Sequence, residues 1–302
     1  MKSRKMFLAH IELTNACNFR CLHCYADKYG NEYIDEAKLK NVLRTLHEHG
    51  VDVVTFLGGE PLLAYQQLVT GIKYARRLGM AVRLFTNGSL IPSKPQIIEI
   101  FKKYNTFVVL SLYAGSRDGY LRFTRCDGYD SVVKALEMFS RSGVNFQVNI
   151  VLTKKNEEEF EKIIDLIKRL KIRWVWLWHY AKEDRCRSLK VDEIFLPPEK
   201  LLEYSKKLAS AINIEEPSDV YYYLPRNEIL EKCFAGEEGI VVTADLDVYP
   251  CVFTVYPFFK LGNLRRDDLE TILERGKALE KKIAKPFCWN LNQVPELYAY
   301  DQ

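Results

Sequence analysis

Apolar positions in the first 180 residues fall into two alternating periods. The runs Phe7–Leu13, Val51–Leu57, Met80–Phe85, Thr106–Leu112, Asn145–Leu152 and Arg173–His179 are short and rich in β-branched and aromatic residues, which predicts strands. Between the first two, Asp35–His49 places Leu39, Val42, Leu43 and Leu46 at helical spacing and stops at His49-Gly50. Leu62–Leu78, Ile97–Tyr104, Val132–Ser142 and Glu157–Leu170 repeat that helical period. Such alternation predicts an α/β fold with a parallel sheet and right-handed crossovers. In the sixth strand Trp174, Trp176 and Trp178 share one face and Val175, Leu177 and His179 the other. The tryptophans read either as a packing layer against the helices or as a wall on which substrate stacks.

After His179 the pattern breaks. Residues 181–190 are charged and short of apolar positions, Pro197-Pro198 follows, and Glu199–Ala211 is helical, which marks a domain boundary. Gly239–Thr243 and Val248–Cys251 read as a small hairpin, followed by a helix over Leu269–Lys282. The expected organisation is a main domain over 1–190, a helical linker over 191–232 and a small C-terminal extension over 233–302. The stretch Tyr113–Asp130 reads as a long, polar, arginine-bearing loop, and long loops inside compact domains are usually functional or disordered.

Composition narrows the function classes. The 302 residues accommodate one large barrel with an appendage, and 48% hydrophobic with 28% charged residues is ordinary globular usage. The net charge of +4 comes from interspersed acids and bases, so nucleic-acid binding is not expected. No apolar run approaches the roughly 18 residues of a membrane span, and Met1-Lys2-Ser3-Arg4-Lys5 leads straight into a strand rather than a signal-peptide core. A cytoplasmic protein with no membrane partner is expected. Eight cysteines, clustered near the start and the end, then point to metal ligation over disulfides.

The first cluster is Cys17, Cys21 and Cys24, spaced x3 then x2 directly after the first strand. Thiolates at that spacing suit zinc or an iron–sulfur cluster. His23 is wedged between two of them and is poorly placed as a fourth ligand, so one metal position stays open, where chemistry rather than a structural knuckle is expected. Gly58-Gly59-Glu60-Pro61, Thr86-Asn87-Gly88 and Ser111 stand at the ends of the next three strands. The glycines alone would be a tight strand-to-helix turn, and Asn87 and Asn149 alone could cap turns.

Together these motifs make residues 7–180 resemble the radical S-adenosylmethionine enzymes, whose Cx3Cx2C motif is matched by Cys17, Cys21 and Cys24. The resemblance implies a partial (β/α)6 TIM-like barrel, a 4Fe-4S cluster on those cysteines, and S-adenosylmethionine filling the open iron. It implies that Gly58 and Gly59 let backbone approach the cofactor and that Glu60 complements its ammonium group. Ser111 and Arg122 would meet its ribose and carboxylate, with Arg125 competing for the second role, and Tyr25, Asn87 and Asn149 complete the cofactor-facing set. Cys233, Cys251 and Cys288, with Asp245–Cys251 and Leu261–Leu264 around them, resemble the SPASM or shortened twitch extension. Three cysteines allow at most one auxiliary iron–sulfur cluster, its fourth ligand unassigned and Cys186 a candidate. Cys126 is either incidental or a hydrogen-atom donor to a substrate radical.

The implied activity is reductive cleavage of S-adenosylmethionine and hydrogen abstraction from a peptide or protein, leading to crosslinking, epimerisation or oxidation. The alternatives are a dehydrogenase or cyclase acting on a small molecule, and a non-catalytic metal-binding scaffold. An electron donor such as flavodoxin or ferredoxin is an implied partner. Because the chain starts almost at its first strand, a peptide substrate is expected to be recognised by the barrel itself or in trans.

Overall fold

The computed structural model describes residues 8–24, 30–179, 191–212, 221–222 and 239–282. The barrel half alternates β1 (Leu8–Glu12), α1 (Glu36–Glu48), β2 (Val53–Leu57), α2 (Tyr65–Arg77), β3 (Ala81–Thr86), α3 (Ile97–Lys103) and β4 (Phe107–Leu112). It continues through α4 (Arg117–Thr124), α5 (Tyr129–Ser142), β5 (Phe146–Leu152), α6 (Phe160–Arg169) and β6 (Val175–His179). Beyond it come α7 (Val191–Ile194), α8 (Pro198–Ala211), β7 (Tyr221–Tyr222), β8 (Gly239–Val242), β9 (Asp247–Tyr249), β10 (Gly262–Asn263) and α9 (Leu269–Lys282).

One sheet runs in the order β10-β9-β8-β1-β2-β3-β4-β5-β6-β7. Strands β1 to β7 pair in parallel and in sequence, as helical crossovers require, so their C-terminal ends lie along one rim. Ligand sites in parallel sheets occupy that rim. β8 also pairs in parallel with β1, matching Leu8 to Gly239 and Ile11 to Val242. The extension's hairpin therefore continues the barrel's sheet.

Alternation sorts the strands' side chains between two faces. Ala9, Ile11, Val54, Phe56, Leu84, Val108, Leu110 and Ile150 are essentially fully buried and pack under the helices. Phe56 fits only because α2 has Gly71 over it, where a Cβ would lie 2.7 Å from its ring. The opposite, inner face carries His10, Glu12, Thr55, Arg83, Ser111, Gln147, Asn149, Trp174 and Trp176. In β6 Trp176 thus shares the inner face with Asn149, while Val175 and Leu177 are buried on the helix side.

Local chemistry explains the boundaries. Asp35 caps α1 by accepting from the amides of Ala37 and Lys38, each at 3.0 Å. Gly143 ends α5 with a φ of 73°, in the left-handed region. The expected loop over Tyr113–Asp130 is a correction, since it contains α4 and the start of α5. Ser116 caps α4 by accepting from the Gly119 amide, and only Tyr120 and Phe123 among its large apolar residues are fully buried. A two-turn helix holding a glycine offers too few positions for a 3.6 period to register.

Candidate active site

The cysteine loop is held by the end of β2. Past β1 the chain stays paired, with the Leu13 amide donating to Leu57 O at 2.9 Å. The amides of Gly59 and Glu60 then donate to the carbonyls of Thr14 and Ala16, both at 2.8 Å. These contacts need glycine. A Cβ on Gly58, whose φ is +148°, would lie 2.3 Å from Thr14 O, and one on Gly59 would lie 2.1 Å from Ala16 O. Within the chain, the two glycines bring β2 against the backbone leading into Cys17.

Glu60 is buried at the same turn. Its carboxylate is 1% exposed and accepts from Leu62 N at 3.0 Å, Thr86 Oγ1 at 2.7 Å and Asn87 N at 2.8 Å. Within the chain it clasps the ends of β2 and β3 together. Burial pushes its pKa up, and those three donors oppose the rise. Asn87 extends the clasp: its amide donates to Asn18 Oδ1 at 2.9 Å, and Asn18 in turn donates to Ser89 Oγ at 2.8 Å. Thr86 belongs to the Thr86-Asn87-Gly88 motif, whereas Asn18 and Ser89 carried no signal that would have assigned them a role.

The other side of the loop rests on α4. The amides of Arg20 and Leu22 donate to the carbonyls of Thr124 and Phe123, at 3.0 and 2.9 Å. Cys126 Sγ donates to Asn18 O at 3.1 Å, so its S–H is engaged with the cysteine loop. Phe19 meets Tyr120 edge-on at 6.0 Å, and Gly128 leaves room for the Phe19 ring, to which a Cβ would come within 2.4 Å. His23 stacks on Phe123 at 5.1 Å and leans on Tyr113 at 5.0 Å. Burial holds the His23 ring down to about 4, so it is neutral at physiological pH. Its Nδ1 is buried with no hydrogen-bond partner.

Cys17, Cys21 and Cys24 are half-buried free thiols close enough to influence one another. Burial pushes Cys17 up to about 12 and Cys21 well above its ordinary value, with the neighbouring thiols adding to the rise. Such thiols ionise when iron neutralises them. Among the described residues no three His, Cys, Asp or Glu side chains converge on one ion. A cubane takes each thiolate at a separate iron, so a spread triad of soft donors suits it better than a single zinc.

The remaining candidates are distributed unevenly. Ser111 and Asn149 are register partners on the inner face, and Asn149 Oδ1 is buried with nothing to bond, a vacancy a polar cofactor group fits. Arg122 is committed to Glu158 at 2.5 Å and Glu159 at 3.5 Å, so the carboxylates beside it belong to this chain. Arg125 is exposed at the left-handed C-cap of α4, with a φ of 56°. Cys251 caps a short helical turn, with its amide donating to Thr254 Oγ1 at 3.1 Å. Tyr25, Cys186, Cys233 and Cys288 lie outside the described residues.

Comparison with known proteins decides the family. The sequence model of the radical SAM superfamily matches residues 11–167, over half of the chain. The chain belongs to the radical SAM superfamily. A second model, the SPASM iron–sulfur cluster-binding domain, matches residues 233–292. This radical SAM chain is 30% identical over 173 residues to a probable GTP 3′,8-cyclase of Saccharolobus solfataricus, covering 55% of this chain and 54% of that one. It is 25% identical to the AdoMet-dependent heme synthase of Oleidesulfovibrio alaskensis, covering 78% and 60%. The chain thus spans little more than half the length of these relatives. Among solved structures, Streptococcus suis SuiB bound to precursor peptide SuiA superposes with a TM-score of 0.73 at 20% identity, covering 89% of this chain and 64% of that one. Native anSMEcpe with bound AdoMet superposes at 0.72 and 19% identity, covering 91% and 83%. These likenesses show the fold. The two domain matches together bring a 4Fe-4S cluster, S-adenosylmethionine and auxiliary iron–sulfur ligation, and the Cys17, Cys21 and Cys24 donor set fits the first of these. Among the described residues no helix is long and apolar enough to cross a membrane.

Proposed function

We infer that the protein cleaves S-adenosylmethionine reductively and abstracts a hydrogen atom from a peptide or protein side chain held on the barrel's inner face. The observation that carries this reading is the cysteine loop clamped between Gly58–Glu60 and α4 at the rim, above an inner face of polar and aromatic side chains. When bound, the cluster and S-adenosylmethionine supply the electron and the 5′-deoxyadenosyl radical for that abstraction.

The chain's own residues have distinct tasks. Cys17, Cys21 and Cys24 would hold the cluster, and the Glu60 clasp and the Phe123–Thr124 carbonyls fix the loop that presents them. Phe19, Tyr113, Tyr120 and Phe123 pack an apolar wall against that loop, which excludes water from the neighbourhood of a radical. Ser111 and Asn149 offer hydrogen bonds to the cofactor's polar groups, and Trp174 and Trp176 offer rings against which substrate can lie. Cys233, Cys251 and Cys288 are the proposed ligands of one auxiliary cluster. A flavodoxin or ferredoxin is the proposed electron donor. Hydrogen-atom donation by Cys126 would require its S–H to leave Asn18 O first.

Support for a peptide substrate comes from the shared fold with solved structures that hold peptides, SuiB bound to precursor peptide SuiA and anSMEcpe with the Cp18Cys peptide. A small-molecule reaction is the second reading, favoured by the sequence relatives, a GTP cyclase and a heme synthase. Deuterium transfer into 5′-deoxyadenosine separates them. Label arriving from a deuterated peptide supports the first, label arriving only from a small molecule selects the second, and no 5′-deoxyadenosine at all rejects both.

A further inference from the structure

One register row on the inner face has unmet polar capacity. His10 of β1 pairs in register with Thr55 of β2, Thr55 with Arg83 of β3, and Arg83 with Phe107 of β4, so their side chains leave the same face side by side. Thr55 is fully buried, and its Oγ1 has no hydrogen-bond partner. His10 Nδ1 is likewise buried and unpartnered. Arg83 is largely desolvated, lies 6.0 Å from the Phe107 ring centroid and has no carboxylate partner among the described residues. Barrel interiors are ordinarily filled with branched aliphatics. A partly buried cation with no counter-charge among the described residues, beside two orphaned polar atoms, costs stability unless something anionic completes it.

We propose that Arg83, with Thr55 and His10, is the receptor for an anionic group of the substrate, a carboxylate or a phosphate. The guanidinium supplies charge and a planar fork of donors, Thr55 adds a hydroxyl donor, and His10 adds one ring N–H. His10 is neutral here, because burial and the adjacent Arg83 charge hold it down to about 4, so the anion meets one full positive charge and two dipoles. The inference rests on the reading above that substrate occupies the inner face, and it adds what one end of that substrate must be.

Position in the sheet sets a depth. Thr55 lies three residues before Gly58, and a strand advances about 3.3 Å per residue, so this row lies roughly 10 Å below the rim where the cysteine loop begins.

The test uses the full chain, reconstituted anaerobically, titrated with inorganic phosphate in one arm and acetate in the other at fixed ionic strength. Thermal midpoint and the Arg83 guanidinium NMR signal are the readouts. Wild type and the exposed-surface control Arg77→Gln should show a saturable rise in midpoint and a shifted guanidinium signal. Arg83→Gln should weaken the apparent affinity about tenfold or more, the loss of one charge-assisted hydrogen bond. Thr55→Val should fold as well as wild type, since the hydroxyl bonds nothing, and still bind the anion more weakly. The arm with tighter saturation names the anion as phosphate or carboxylate. An identical midpoint rise in wild type and Arg83→Gln, or no saturable response to either anion, overturns the inference. Formation of 5′-deoxyadenosine in the same preparations is scored separately, so the anion site can fail while the radical SAM reading stands, and the converse.

Discussion

Gly59 decides how near β2 can come to the cysteine loop. A methyl group at 2.1 Å from Ala16 O cannot be accommodated without breaking the Glu60 N to Ala16 O hydrogen bond. Gly59→Ala is expected to cost about 2 kcal/mol or more and to lower bound iron, checked by thermal melting and iron quantitation. Iron content equal to wild type would contradict the clamp. Glu60→Ala strands two amides and the Thr86 hydroxyl, each worth about 1 to 3 kcal/mol when left unsatisfied. Glu60→Gln keeps the acceptor oxygen and should cost less than Glu60→Ala in the same melts.

Glu12 makes a pH prediction at the same scale. Burial, and then the charge of Asp245, push its carboxyl from 4.5 up to about 7. The folded chain therefore holds this proton more tightly than the unfolded chain does. Any stability linked to Glu12 is complete below the unfolded value and is lost as pH rises through about 7. Wild type should lose thermal stability between about pH 5 and about pH 8, and Glu12→Gln should flatten that slope. Parallel slopes in the two proteins would show that Glu12 is not so placed.

The helix α4 is the element that the sequence hid and the site depends on. Its C-terminal carbonyls receive the amides of the cysteine loop, and its Phe123 ring carries His23. Phe123→Ala should destabilise the fold by about 3 to 5 kcal/mol, the cost of emptying a buried aromatic site. Reconstituted iron should fall with it, whereas Leu121→Ala, 46% exposed on the same helix, should change neither in circular dichroism melts or iron assays. The strands were legible because each is a short apolar run between turn signals, and the rim motifs were legible because Cys17, Gly58 and Asn87 follow strand ends directly. What those motifs hold was less legible. Gly58, Gly59 and Glu60 read as cofactor groups, and within the chain Gly59 and Glu60 also make long-range hydrogen bonds to Thr14, Ala16, Thr86 and Asn87. Contacts between segments 26 to 45 residues apart leave no local pattern to read.

At the scale of the whole molecule, a single sheet carries both the barrel and the hairpin that precedes Cys251, through the pairing of β8 with β1. Changes at Cys251 are therefore made on the same framework that positions Cys17. Cys288→Ala is expected to remove auxiliary iron while leaving the first cluster, so iron should fall from about eight toward about four per chain. A wild-type value near four would remove the auxiliary cluster from this account. The most direct test of its central claim is 5′-deoxyadenosine formation after anaerobic reconstitution and dithionite reduction in the presence of S-adenosylmethionine. The account predicts product from wild type and none from Cys17→Ala; no product from wild type, or equal product from both, would contradict it.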